Sequence, residues 1–228
     1  MFPLYDDQRT KRFPALTILI ILVNAWVFIA WQLRVGIDQS VMLAALVPAE
    51  VTHGAPFNYS AAHMLASMFM HGSWMHLIGN MWFMWIFGNN IEDATGFIRF
   101  GFFYLICGFA ADAAFIAFSP ESQVPMIGAS GAVSGVLGAY LVLHPTARVT
   151  TLVPLGLFTR LVDIPAFLFL LLWIGLQILS QMASQVAARQ HGGGVAYLAH
   201  IGGFAAGLVL IFFFQKRTRS RSLNPRSP

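Results

Sequence analysis

Four side chains that fall in apolar stretches of this sequence stand out as of types that do acyl-transfer chemistry. Ser130 lies in GASGAVSGVLGAY (residues 128–140), His200 in YLAHIGGFAAG, and His76 and Asn80 in HGSWMHLIGNMWF. A serine hydroxyl is a weak nucleophile until a base removes its proton, and histidine is the commonest such base. His76 and Asn80 are four residues apart, so they share one helical face, and both can donate to a developing oxyanion. Each residue also has a plain structural reading. A serine among glycines packs or bonds back to a carbonyl, a lone histidine in an apolar helix is a satisfied structural group, and Asn80 alone is interhelical glue. Ser134 is a second candidate nucleophile, one turn deeper than Ser130.

Those residues need elements to bring them together, and the composition says of what kind. The chain has 228 residues, 57% hydrophobic and only 10% charged, against about 25% charged in an ordinary soluble domain. Too little polar surface exists to cover a water-soluble globule, so a membrane protein is expected. A bilayer core about 30 Å thick takes about 20 apolar residues per helix. Six stretches qualify, at 14–33, 62–88, 100–118, 125–143, 164–186 and 195–214, with Asp112 the one formal charge inside them. The expected fold is therefore an all-α polytopic membrane protein, a bundle of six transmembrane helices. It divides into an N-terminal segment 1–13, a membrane domain 14–214 and a basic tail 215–228. The first stretch follows Arg9, Lys11 and Arg12 but is too long for a signal peptide and lacks a cleavage site, so it reads as an uncleaved anchor. The single cysteine, Cys107, can form no internal disulfide.

Six spans put both termini on one side. Arg9, Lys11, Arg12, Arg99, Arg148, Arg160, Lys216, Arg217, Arg219, Arg221 and Arg226 then share that side, and Arg34 and Arg189 face the other. That bias makes the termini cytoplasmic, and the expected location is a prokaryotic plasma membrane. The tail QKRTRSRSLNPRSP reads as a stop-transfer tether to anionic lipid rather than a nucleic-acid arm. The external loop of about residues 34–61 is half apolar and is expected to lie on the membrane.

Intramembrane polar groups mark function by default. The second, fourth and sixth stretches all run from outside to inside. Ser130 and His200 each fall about five residues into their stretch, roughly 7–8 Å deep at about 1.5 Å per residue. His200, Gly203 and Gly207 share one face, Gly131 and Gly135 form a small-xxx-small pair, and such glycines let helices approach closely. Asp112 falls near the same level, either orienting a group or hydrated from the outer face. A transporter would instead need polar elements through the whole membrane.

HGSWMHLIGNMW, GNNIEDATG, GASGAVSGVLGAY and AHIGGFAAG, in that order and over nearly all of the chain, resemble the rhomboid intramembrane serine proteases. The resemblance implies that Ser130 is the nucleophile and His200 its general base, a dyad without an acidic third member. It implies an oxyanion hole of His76, Asn80 and the N–H of Ser130, a structural role for His71, and no cofactor or metal. The implied partners are the lipid bilayer and membrane-protein substrates with a transmembrane segment, cut near its outer end, with no nucleic acid. The stretch at 164–186 would be a lateral gate, and HGGG at 191–194 part of a cap. The alternative is a non-catalytic relative that binds or guides membrane-protein clients, a class that lacks the serine or the histidine. Two features depart from the family: the first external loop lacks a Trp-Arg pair, and Ser134 stands where some members stack an aromatic on the base.

Overall fold

The first helix, α1 (Ala15–Val35), is long and apolar enough to cross a membrane, and its last third widens into a π-helical stretch over Val27–Gln32. Its N-terminus is satisfied from a distance. Glu92 accepts from the N–H groups of Leu16 and Thr17, at 3.0 and 2.8 Å, and from the Thr17 hydroxyl at 2.8 Å. These are orphan donors of the first turn, and a carboxylate there also meets the positive end of the helix dipole. The GNNIEDATG stretch thus ties two helices together. The computed structural model describes residues 2–155, 158–191 and 197–216. The glycines of the expected cap at 192–194 and the tail from 217 lie outside the described residues.

The stretch expected to be an external loop folds into three helices, α2 (Ile37–Ala44), α3 (Pro48–Thr52) and α4 (Phe57–Ser67). Met42, Leu43 and Phe57 stay exposed on them. The second expected span, 62–88, is corrected here. Its first residues belong to α4, the chain then turns, and α5 starts at Trp74, running as Trp74–Phe83, a π-helical Met84–Gly88 and Asn89–Thr95. The start is set by Ser73, whose hydroxyl caps the helix by accepting from His76 N–H at 3.1 Å. His71 therefore precedes the helix that carries His76 and Asn80.

Next come α6 (Phe97–Phe118), α7 (Ser130–Leu143), α8 (Ala166–His191) and α9 (Tyr197–Phe214). Of the six expected spans, α1, α6 and α9 have spanning length and apolarity, while Ser130–Leu143 and Ala166–Leu179 are shorter apolar stretches and α5 is in neither group. The fourth stretch, expected from 125, becomes helical only at Ser130.

The expectation of a purely helical fold also needs correction. Strands β2 (Arg148–Leu155) and β3 (Phe158–Pro165) form an antiparallel hairpin, and β1 (Phe2–Asp6) adds to β2. The reason lies in RVTTLVPL and FTRLVDIP, rich in β-branched residues that suit an extended chain. The Tyr140 hydroxyl and Asn90 both donate to Asp6, which fastens β1 to α7 and α5. Burial pushes the Asp6 carboxyl above the usual carboxylate range, against the pull of the Tyr140 hydrogen bond.

The centre of the bundle is a seam of small residues between α7 and α9. A Cβ on Gly203 would strike the carbonyl oxygen of Gly131, and one on Gly207 that of Gly135. A Cβ on Gly138 would strike the Phe204 carbonyl. These obstacles are backbone and cannot swing aside, so only glycine permits the approach. Gly207→Ala should therefore force the two helices apart, at about 1–3 kcal/mol. A lower thermal midpoint in detergent is the expected reading. Gly175→Ala is the control, since nothing lies within 4 Å of its added methyl. Equal melting of the two variants would remove the seam as the source of the approach.

Candidate active site

The seam sets His200 opposite Ser130. His200, in the first turn of α9, has Nε2 2.7 Å from Ser130 Oγ, across seventy positions of sequence. Both side chains are half-buried. Ser130 is the first residue of α7, so its N–H and that of Gly131 belong to the turn whose donors have no intrahelical partner. Ser134 is placed differently. It is buried, and its hydroxyl donates to the Ser130 carbonyl at 2.6 Å, a back-bond within the helix.

His76 and Asn80 face the same place from α5. Gly72 N–H donates to His76 Nδ1 at 3.4 Å, a long bond that leaves the ring hydrogen for Nε2. Nε2 is aimed at Gly128, where an added Cβ would sit 2.6 Å from it. Gly128 has φ +121°, a conformation that side chains rarely adopt, and its N–H donates to Ser67 O at 2.8 Å. Space and backbone together demand glycine two residues before Ser130. The Asn80 amide nitrogen is buried and has no hydrogen-bond partner among the described residues. A buried donor left over beside a serine hydroxyl is what an oxyanion site requires.

Two cavities meet at the dyad. One, of about 440 Å³, is lined by Ser130, His200, His76, Asn80, Gly128 and Asp112, among others. The other, of about 240 Å³, lies between α5 and α8, with Met75 and Phe83 on one side and Trp173 and Gln177 on the other. Asp112 is 4% exposed on the wall of the first cavity and has an oxygen with no partner. Among the described residues it makes no hydrogen bond to either side chain of the dyad. His71 is fully buried, its ring edge-on to His76 at 5.0 Å. Gln32 of α1 brackets its backbone, accepting from His71 N–H at 2.8 Å and donating to its carbonyl at 3.1 Å. It therefore fixes the turn before α5, in keeping with a structural part.

The stretch joining α2 to α3 braces the segment leading to Ser130. Leu46 and Met126 form a β-bridge, and Ala49 N–H donates to Ser122 O at 3.1 Å. Two partners escaped the residue-level reading. Gly128 is visible as a glycine but not as the neighbour of His76. Gln177, whose Oε1 lies 2.9 Å from His200 Nδ1, carries no sequence signal beyond being an amide in an apolar stretch.

A sequence model of the Rhomboid domain matches residues 59–217. Three relatives come from Arabidopsis thaliana. RHOMBOID-like protein 6, mitochondrial, is 40% identical over 78 residues, 34% of this chain and 25% of the relative. RHOMBOID-like protein 4 is 32% identical over 170 residues, 72% of this chain and 36% of the relative. Rhomboid-like protein 11, chloroplastic, is 24% identical over 220 residues, 92% and 69% respectively. The matches to the first two thus span only about a quarter and a third of those proteins. The organelle names of two of them lend no support to the expected prokaryotic plasma membrane.

Proposed function

The chain belongs to the rhomboid family, and from that premise we propose that it is an intramembrane serine endopeptidase working through a Ser130–His200 dyad. The observation that carries the reading is the 2.7 Å contact between His200 Nε2 and Ser130 Oγ, with the Asn80 donor unpaired beside it. Ser130 Oγ bonds to the carbonyl carbon of the substrate peptide as its hydrogen passes to His200 Nε2. The carbonyl π pair moves onto oxygen, and the oxyanion accepts from His76 Nε2–H, the Asn80 amide and the N–H of Ser130. Collapse expels the amine, which takes the proton from His200 and leaves Ser130 acylated. Water then repeats the sequence, with His200 as base, and frees the acid.

The substrate class is a membrane protein whose transmembrane segment enters between α5 and α8 and is cut near its outer end. Six membrane crossings and cytoplasmic termini, on the Lys/Arg bias, complete the proposal. The test is a single-span reporter incubated with the purified chain, alongside labelling by a fluorophosphonate. Cleavage with the label on Ser130 supports an enzyme. A folded chain that binds the reporter but neither cuts it nor takes the label would be a non-catalytic relative.

The hole can be tested separately. Loss of one donor from a preorganised oxyanion site typically reduces turnover by about 10²–10³ where it dominates, and here backbone donors share the load. His76→Ala and Asn80→Ala should each slow cleavage by about tenfold or more and leave measurable activity. Full turnover in both folded variants would return the pair to helix packing.

A further inference from the structure

His200 has two ring nitrogens, and the dyad uses one. The other, Nδ1, meets Gln177 Oε1 at 2.9 Å. An amide oxygen only accepts, so Nδ1 must carry the hydrogen of the neutral ring. Nε2 is then the lone-pair nitrogen, and it is the one facing Ser130 Oγ. The opposite tautomer would set the Nδ1 lone pair against the amide oxygen and a hydrogen against Oγ, and it could take no proton from serine. Trp173 and Tyr197 also flank the ring, with centroids 6.3 and 6.4 Å away, and among the described residues the hydrogen-bond partner of Nδ1 is Gln177.

We propose that Gln177 is the positioning residue of the dyad, a neutral third member that holds His200 in its base-competent tautomer and does so from the helix bordering the lateral cavity. The inference rests on the protease reading above. A carboxylate in this position would have to be stripped of water among apolar side chains, whereas an amide accepts the same hydrogen bond without a net charge. When Ser130 gives up its proton, His200 becomes an imidazolium and Nδ1–H still donates to Oε1, so the contact survives the step. The placement also links entry to chemistry. Gln177 and Trp173 form the α8 wall of the cavity opposite Met75 and Phe83. Outward displacement of α8 to admit a substrate segment withdraws Oε1 from Nδ1, and the base is complete only when α8 seats again.

The test compares Gln177→Leu with Gln177→Glu in the full chain in detergent, measuring kcat, KM, the rate of fluorophosphonate labelling at Ser130 and thermal melting. Leucine has similar bulk and no acceptor, so kcat and labelling should fall about tenfold or more with little change in KM. Glutamate, ionised or protonated, keeps a carboxyl oxygen that accepts from Nδ1–H, and it should keep both rates within a fewfold of the parent. Gln177→Met, unbranched like glutamine, repeats the leucine test should that variant melt early. A residue that merely packs the wall gives the reverse order: leucine as fast as the parent or faster, and glutamate slow. Either a fully active leucine variant or an inactive, folded glutamate variant overturns the proposal. Failure of the parent chain to label at Ser130 sinks the protease reading instead, and this inference with it.

Discussion

Ser130→Ala should abolish reporter cleavage and fluorophosphonate labelling while leaving the melting curve unchanged. Among the described residues the side-chain oxygen makes one hydrogen bond, to His200 Nε2, so its removal leaves no other described polar group short of a partner. Alanine also keeps the small volume that the α7–α9 seam needs. Serine nucleophiles leave no comparable substitute, so the loss should reach the detection limit. Ser134→Ala is the matched control. Its hydroxyl is tied to the Ser130 carbonyl at 2.6 Å and makes no hydrogen bond to the base among the described residues. That variant should keep most of its activity. Loss of turnover in Ser134→Ala together with survival in Ser130→Ala would transfer the nucleophile one turn down the helix.

His200→Ala should be nearly as severe, with turnover down by about 10³–10⁴, the upper part of what a positioned base supplies. The residue is half-buried, and its loss enlarges the cavity of about 440 Å³ that reaches the serine. Free imidazole should enter that space and restore part of the rate, because what is missing is a proton acceptor and not a fold. Rescue would rise with imidazole concentration and would be absent from Ser130→Ala. A folded His200→Ala chain with parental turnover and no response to imidazole would remove the base from the mechanism. The ordering matters as much as the sizes. Ser130 and His200 variants lose the chemistry, whereas His76, Asn80 and Gln177→Leu variants weaken it by about tenfold or more and leave measurable turnover.

The reading of single residues carried far for those whose meaning is local. Ser130 among glycines, His200 on a glycine face, and His76 four positions before Asn80 are visible because the helical repeat puts them on faces at similar depth. Membrane residence was legible in the scarcity of charge, since a bilayer demands long uncharged runs. The glycine pattern foretold the close packing of α7 on α9, where Gly131 and Gly135 meet Gly203 and Gly207 through backbone carbonyls. The start of α5 was not legible because uncharged residues continue across the turn at 68–73, and hydropathy does not register the Ser73 cap. The β1–β2 pairing was not legible because its strands lie far apart in the chain, at Phe2–Asp6 and Arg148–Leu155, whereas the β2–β3 hairpin is local and its β-branched runs did carry a signal.

By itself, then, the sequence determined the solvent, the helical periodicity and the stock of reactive groups, all properties carried within a few turns of chain. Tertiary structure alone decided which groups touch. Ser130 and Ser134 are equivalent by type and spacing, and their roles part because one hydroxyl reaches His200 while the other folds back on its own helix. Gln177 and His200 stand 23 positions apart on different helices, and no repeat links them. A hydrogen bond requires its two atoms within about 3 Å, and over such separations that distance is set by how whole helices pack. Hence the members of the site could be named from the chain, but the tautomer of its base depends on a helix that sequence alone could mark only as apolar.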